Sequence, residues 1–245
     1  MNEMLRNPGR HDHFVQLYED SAPLADAVAE YVREGLRRGE AAVIIATPEH
    51  RQAFLSRIGA SSDEQLKLLD AEQTLATFMV DGVPSWNAFR ETVGGLIAEL
   101  RLRYPTVRAY GEMVDVLWQR GEREAAIRLE EYWNELGQMQ TFSLFCAYRM
   151  NPLDGALYGG PLESVCRVHS HLIPGGDQQR LDDAVHEASS RLLDQPLAGI
   201  LLSMAANHRA QVPAAQATLF WLKQNMPRTA DKVFQELRGA ASTEA

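Results

Sequence analysis

Cysteine is scarce: Cys146 and Cys166 are the only two in the chain. Two thiols give no disulfide framework, so a reducing cytosol is the compartment we expect. No leading apolar segment resembles a signal peptide, and no apolar run is long enough to span a bilayer. A cytoplasmic protein without a membrane partner is the matching expectation. Positive charge is also short, with 24 Lys and Arg against 33 Asp and Glu and a formal net charge of -9. Phosphate-binding surfaces need a basic excess, so direct contact with nucleic acid is disfavoured, although a local basic patch would escape that reasoning. Two hydrolase signatures are missing as well, the Gly-x-Ser-x-Gly elbow and the helical His-Glu-x-x-His zinc motif. No internal repeat or low-complexity tract interrupts the chain.

What is present is ordinary for a globular protein, with 45% hydrophobic and 23% charged residues. The 245 residues fit one large α/β domain, or a domain with a helical appendage. The organising stretch is His13 to Arg51, HFVQLYEDSAPLADAVAEYVREGLRRGEAAVIIATPEHR. Phe14-Val15-Gln16-Leu17-Tyr18 has the character of a buried strand. Pro23 then stands in a helical first turn. Leu24, Ala27, Val28, Tyr31, Val32 and Leu36 recur at helical spacing as far as Arg38. Gly39 stops that helix, and Ala42 to Ala46 is a second buried strand. A strand, helix, strand unit of this kind is right-handed, with parallel strands.

In nucleotide-binding proteins of this layout the turn after the first strand cradles phosphate. It needs glycines, a Lys, and a Ser or Thr for the metal. Here that turn is Tyr18-Glu19-Asp20-Ser21-Ala22-Pro23. It has neither Gly nor Lys, Pro23 removes a donor, and two carboxylates repel a triphosphate. A Walker-type ATP site is excluded.

Upstream of this stretch, Met1 to Asp12 is polar and reads as a flexible arm over residues 1–10. Thr47 and Pro48 fit the N-cap and first residue of a helix. Leu66 to Asp70 reads as a third strand, followed by a helix from Ala71 to Met79 and a turn at Asp81-Gly82-Val83-Pro84. Trp86 to Arg103 is helical in period, weakened at Gly94-Gly95. Thr106 to Tyr110 is a fourth strand, and helices Met113–Gln119 and Glu122–Leu136 are parted by Gly121. Phe142 to Tyr148 is a fifth strand and Val165 to His171 a sixth. Prolines and glycines make the rest of 151–176 loop. From Gln178 only helices follow: one through Leu181 to Leu192, one from Leu197 to Arg209, one opened by Pro213, and a last stretch after Pro227.

Taken together, HFVQLYED, RRGEAAVIIATPEHR, LLDAEQTLATFMVDG, GEMVDVLW, AAIRLEEYWNEL, FSLFCAY and VCRVHSHLIP resemble the MEDS domain family. Its members are sensory modules of methanogen and methylotroph regulators, including the repressor of dichloromethane dehalogenase. The motifs follow family order over residues 11 to 174. The resemblance implies a RecA-like or KaiC-like domain that lost its phosphate loop. It further implies sensing of small hydrocarbon derivatives in place of hydrolysis, and attachment to DNA-binding or histidine-kinase modules.

In an open parallel α/β sheet, ligands bind outside the carboxyl ends of the strands. The candidate ligand-binding residues are therefore Tyr18, Glu19, Asp20, Thr47, Glu49, His50, Arg51, Asp70, Glu112, Met113, Tyr148 and Arg149. Singly, Asp70 and Thr47 also read as helix caps, and Glu49 and His50 as first-turn decoration. As a set drawn from distant sequence, they read as one rim. Met113, Trp118, Tyr110 and Tyr148 flank it as an apolar wall. Glu112 stands where an ATPase of this fold holds an acid. Without a partner constellation it reads as a structural acceptor for a helix start. His169 and His171, two apart on a strand, would share a face while Cys166 pointed away. That leaves too few ligands for zinc unless His13, His50 or a carboxylate completes the set, and Cys146 reads as a small buried apolar residue.

The resulting expectation is an α/β fold with a RecA-like parallel sheet flanked by helices over 11–176, and an all-helical extension over 177–245. Its function is non-enzymatic sensing of a small, possibly apolar molecule or of a signalling protein, with relay of a conformational change and with no metal or cofactor. The alternatives are a transcriptional regulator acting through the C-terminal helices, and a residual nucleotide- or metal-dependent hydrolase using Glu112. Ile200, Leu201, Met204, Leu219, Phe220, Leu222, Val233, Phe234 and Leu237 are many apolar groups for a solvated tail. A homodimer with the tail in its interface is expected on that ground.

Overall fold

A computed structural model describes residues 3–59, 64–176, 178–193, 199 and 212–243. The chain forms two compact units, Met1–Arg149 and Met150–Ala245.

The first unit begins with a single helical turn, α1 (Glu3–Arg6), where a loose arm was expected; Leu5 is buried. Every residue of β1 (His13–Tyr18) and β2 (Ala41–Ala46) is buried, as parallel strands covered on both faces require. Between them, α2 (Ser21–Arg37) buries Leu24, Val28, Tyr31 and Val32, the apolar stripe read from their spacing. It stops at Gly39, whose φ of +75° is left-handed backbone that a side chain would strain. Next come α3 (Pro48–Ile58) and β3 (Leu66–Asp70).

The helix expected through Met79 ends sooner, as α4 (Ala71–Ala76). A two-stranded hairpin of β4 (Met79–Val80) and β5 (Val83–Pro84) follows. Asp81 and Gly82 turn it with φ of 50° and 79°, the left-handed pair favoured in tight hairpins, and this local chemistry overrides the helical pattern. The expected helix Trp86–Arg103 is α5 (Trp86–Phe89) and α6 (Gly95–Arg101), joined by a π-helical stretch at Arg90–Gly94. Then come β6 (Val107–Gly111), α7 (Met113–Gln119), α8 (Arg123–Met139) and β7 (Phe142–Arg149).

Within this unit the strands pair in the order β3-β2-β6-β7-β1, and every pairing is parallel. The register aligns Ala46 with Asp70, Ile45 with Gly111, and Tyr18 with Arg149. All the carboxyl ends therefore share one edge.

The second unit holds a 3₁₀ turn at Leu157–Gly159, then α9 (Pro161–Val168), β8 (His171–Ile173), α10 (Gln178–Leu192), α11 (Ala214–Asn225) and α12 (Pro227–Thr243). The strand expected from Val165 to His171 is corrected. Pro161 opens a helix there, Leu162 and Val165 bury one face of it, and only His171 onward is extended. Cys166 is thus helical and His169 is the C-cap, which removes the shared strand face supposed for His169 and His171. The helix expected at Leu197–Arg209 lies outside the described residues apart from residue 199. Pro227 begins a helix instead of interrupting one, since proline suits the first helical position. No helix among the described residues is long and apolar enough to cross a membrane.

Candidate functional site

Glu112 leaves β6 at the N-cap of α7 and is nearly fully buried. A buried carboxylate needs partners, and it has several. Oε1 accepts the backbone N–H of Thr47, at the start of α3. Oε2 lies 2.6 Å from His50 Nδ1 and 3.1 Å from the Tyr110 hydroxyl that donates to it. Thr47 itself makes no side-chain cap bond, so Glu112 satisfies a helix start supplied by another strand exit. The far nitrogen of His50, Nε2, lies 3.0 Å from Ser21 Oγ, at the first residue of α2. Glu112 raises the His50 pKa through their hydrogen bond, against the opposing effect of burial.

A second carboxylate sits one helical turn on. Asp115 accepts from the Tyr18 hydroxyl at 3.0 Å, from Gln119 Nε2 at 2.9 Å and from the Arg149 backbone N–H at 3.0 Å. Burial pushes its pKa up despite those three donors. Tyr18 is also raised, by burial and by the nearby carboxylates Asp115 and Glu112. Aromatic rings pack this polar chain on one side. His50 stacks on Phe54 at 5.5 Å and meets Tyr18 edge-on at 5.6 Å, while Phe54 meets Tyr110 at 5.1 Å.

Toward the edge strand, Arg51 donates to Asp70 Oδ2 at 3.0 Å, while Asp70 Oδ1 caps α4 by accepting from Gln73 N at 3.0 Å. This pair borders a cavity of about 530 Å³ whose walls include Leu68, Leu69, Thr74, Val93 and Leu96. The π-helical stretch contributes Thr92 and Val93 to that wall. Arg51 Nε is buried and has no hydrogen-bond partner among the described residues.

Of the residues expected at the rim, Tyr18, Thr47, His50 and Glu112 are joined through the hydrogen bonds and ring contacts above, and Arg51 and Asp70 form the neighbouring pair. Glu19, Asp20 and Glu49 are exposed, and Asp20 caps α2 by accepting from Ala22 N at 3.0 Å. Arg149 joins through its backbone, its side chain being exposed. Met113 and Tyr148 are fully buried. The Tyr148 hydroxyl donates to Glu130 at 2.8 Å and its ring meets Trp118 at 5.4 Å, so these residues pack the core and do not line that cavity.

The family model for the methanogen/methylotroph, DcmR sensory domain matches residues 12–170. The chain belongs to the MEDS family. No curated protein matches it. The MEDS match spans all five strands of the first unit's sheet and continues to Ser170. MEDS is a sensory-domain family, so a signal-sensing role is the coarse function this membership carries.

The side chains that sequence reasoning passed over are Ser21, Phe54 and Asp115. Two local spacings were available to find them. His50 and Phe54 stand four apart on α3, and Glu112 and Asp115 stand three apart at the start of α7, which are the separations at which helical side chains meet. No spacing pointed to Ser21.

Proposed function

We propose that this chain is a non-enzymatic sensing module that binds a small, largely apolar molecule bearing one hydrogen-bond acceptor. The cavity beside Arg51 and Asp70 carries the reading. Its volume of about 530 Å³ falls within the range of small-molecule pockets, Leu68, Leu69, Val93 and Leu96 give it an aliphatic patch beside polar residues, and the Arg51 Nε–H is a buried donor in want of an acceptor. A π-helical stretch in the wall fits a functional site, where such departures from α-helix concentrate. Arg51 follows His50 directly, so occupancy of the cavity bears on the Glu112–His50 pair and offers a route for relay to a partner protein. Cytoplasmic location belongs to the same proposal.

Fragment binding to the full chain, read by ligand-observed NMR with short alcohols, ketones and amides, tests it. We expect saturable binding that Leu96→Trp abolishes by filling the cavity and that Arg51→Met weakens about tenfold, the worth of roughly one hydrogen bond to a charged donor. Binding unchanged in Leu96→Trp sinks the reading.

One observation favours a second reading. Ser21, His50 and Glu112 stand in the order nucleophile, base and orienter at 3.0 and 2.6 Å, the arrangement of a hydrolytic triad. Against it, Asp20 occupies the Ala22 N–H and Pro23 has none, so the first turn of α2 is poor in donors for an oxyanion. Fluorophosphonate labelling of Ser21, lost in His50→Gln, would favour hydrolysis over sensing.

A further inference from the structure

Away from the strand exits, three buried side chains converge between β1, β7 and α8. His13 is the first residue of β1, Cys146 lies within β7 and Glu130 within α8. His13 Nε2 is 3.2 Å from Glu130 Oε2 and 3.4 Å from Cys146 Sγ, and that sulfur is 3.5 Å from the same carboxylate oxygen. Zinc bonded to nitrogen, oxygen and sulfur at its usual lengths in tetrahedral geometry spaces such donors about 3.4–3.6 Å apart. The observed triangle matches those separations within about 0.2 Å.

The surroundings aim these atoms inward. His13 Nδ1 lies 2.9 Å from Asn134 Oδ1, so its proton goes to that amide oxygen and Nε2 presents a lone pair to the cluster. The Tyr148 hydroxyl donates to Glu130 Oε1 at 2.8 Å, holding the carboxylate with its other oxygen toward His13. The 3.2 Å contact between Nε2 and the carboxylate oxygen calls for a positive centre, either a proton on Nε2 or a metal ion in its place. A cavity of about 480 Å³ borders His13 and Asn134.

We propose that His13, Glu130 and Cys146 bind a zinc-class divalent ion through Nε2, Oε2 and the thiolate, with Asn134 and Tyr148 as positioning residues. Thiolate and imidazole donors select zinc over magnesium or calcium, which take oxygen. A fourth donor completes the tetrahedron. The proposal is independent of the cavity beside Arg51, from whose lining these residues are absent.

The test is titration of the chelator-treated full chain with cobalt(II), followed by displacement with zinc(II). We expect about one equivalent of cobalt to bind, with a thiolate-to-cobalt charge-transfer band and the intense visible bands of tetrahedral cobalt. Cys146→Ser removes the charge-transfer band, Cys166→Ser keeps it, and Asn134→Ala keeps it with affinity lowered about 10- to 100-fold. Circular dichroism on each variant reports folding. A wild-type protein that shows no charge-transfer band at saturation overturns the proposal. So does a band that survives Cys146→Ser or vanishes in Cys166→Ser, and the wild-type and Cys166→Ser measurements decide even where Cys146→Ser does not fold.

Discussion

His50 Nδ1 lies 2.6 Å from Glu112 Oε2, which ties the first turn of α3 to the exit of β6. Both side chains are largely buried, so neither partner can be removed without leaving the other uncompensated. Loss of one member of a buried pair costs about 3–5 kcal/mol. We expect Glu112→Ala to lower the unfolding free energy by about 3 kcal/mol on that basis. Glu112→Gln should cost less, because its amide oxygen still accepts from Thr47 N. Urea unfolding of both variants measures this, and midpoints equal to wild type would show that the pair has no structural role.

The same pair sets a pH dependence. The folded-state pKa of His50 is raised, chiefly by its hydrogen bond to Glu112. Its contribution is thus fully present below the unfolded value of about 6.5 and is lost as pH rises through the folded value. Asp115, raised by burial, acts with the same sign lower down. Stability falls as pH climbs from its unfolded value of about 3.9 toward the folded one. Unfolding free energy measured across this range should decline in two steps. Glu112→Gln should flatten chiefly the upper step, and Asp115→Asn chiefly the lower, each with a smaller effect on the other because Glu112 also raises Asp115 and Asp115 also raises His50.

Periodicity in the sequence located all five strands of the first unit's parallel sheet, because buried parallel strands are continuous apolar runs such as Ala41–Ala46. It failed where local chemistry competes with period. Asp81-Gly82 closed a hairpin that a helical pattern had hidden, and Pro161 started a helix where a strand was read. At the site, topology brought strand exits to one edge, which is why Glu112, His50 and Thr47 were legible as neighbours. Their partners were not. Ser21 meets His50 from another helix, and His13 lies more than a hundred residues of chain from Glu130 and Cys146, so no motif spacing could announce either group.

Arg108 is the least expected core residue, fully buried on β6. Its guanidinium donates to Glu40 Oε2 at 2.5 Å, to the Leu5 and Tyr31 carbonyls at 2.9 Å and to the Arg6 carbonyl at 3.1 Å. These bonds pin α1 against the sheet. They also pin the arginine, so Gly35 has no room to grow: an added Cβ would lie 2.5 Å from Arg108 Cδ. Alanine would ordinarily stabilise a helix by about 1 kcal/mol over glycine. Here we expect Gly35→Ala to destabilise by about 1–3 kcal/mol through overpacking. Stabilisation of that variant in thermal unfolding would show that Arg108 moves aside freely.

The apolar residues of the last helices have partners within the second unit. The Tyr158 ring lies 5.0 Å from Phe220 and 5.2 Å from Phe234, and a Cβ on Gly155 would come within 2.8 Å of Phe234 Cδ2. Leu219, Phe220, Leu222, Val233, Phe234 and Leu237 are all buried in a single chain, whereas Ile200, Leu201 and Met204 lie outside the described residues. Excess apolar surface on those six side chains therefore no longer calls for a second copy. We keep the homodimer as a proposal because sensory modules commonly signal through dimers, with its interface sought away from these six. Phe234→Ala should then cost about 3–5 kcal/mol as a core truncation, while light scattering at micromolar concentration reads twice the chain mass for both proteins. A monomeric wild type removes the dimer. A wild-type dimer that Phe234→Ala dissociates, without the unit unfolding, returns the interface to the tail.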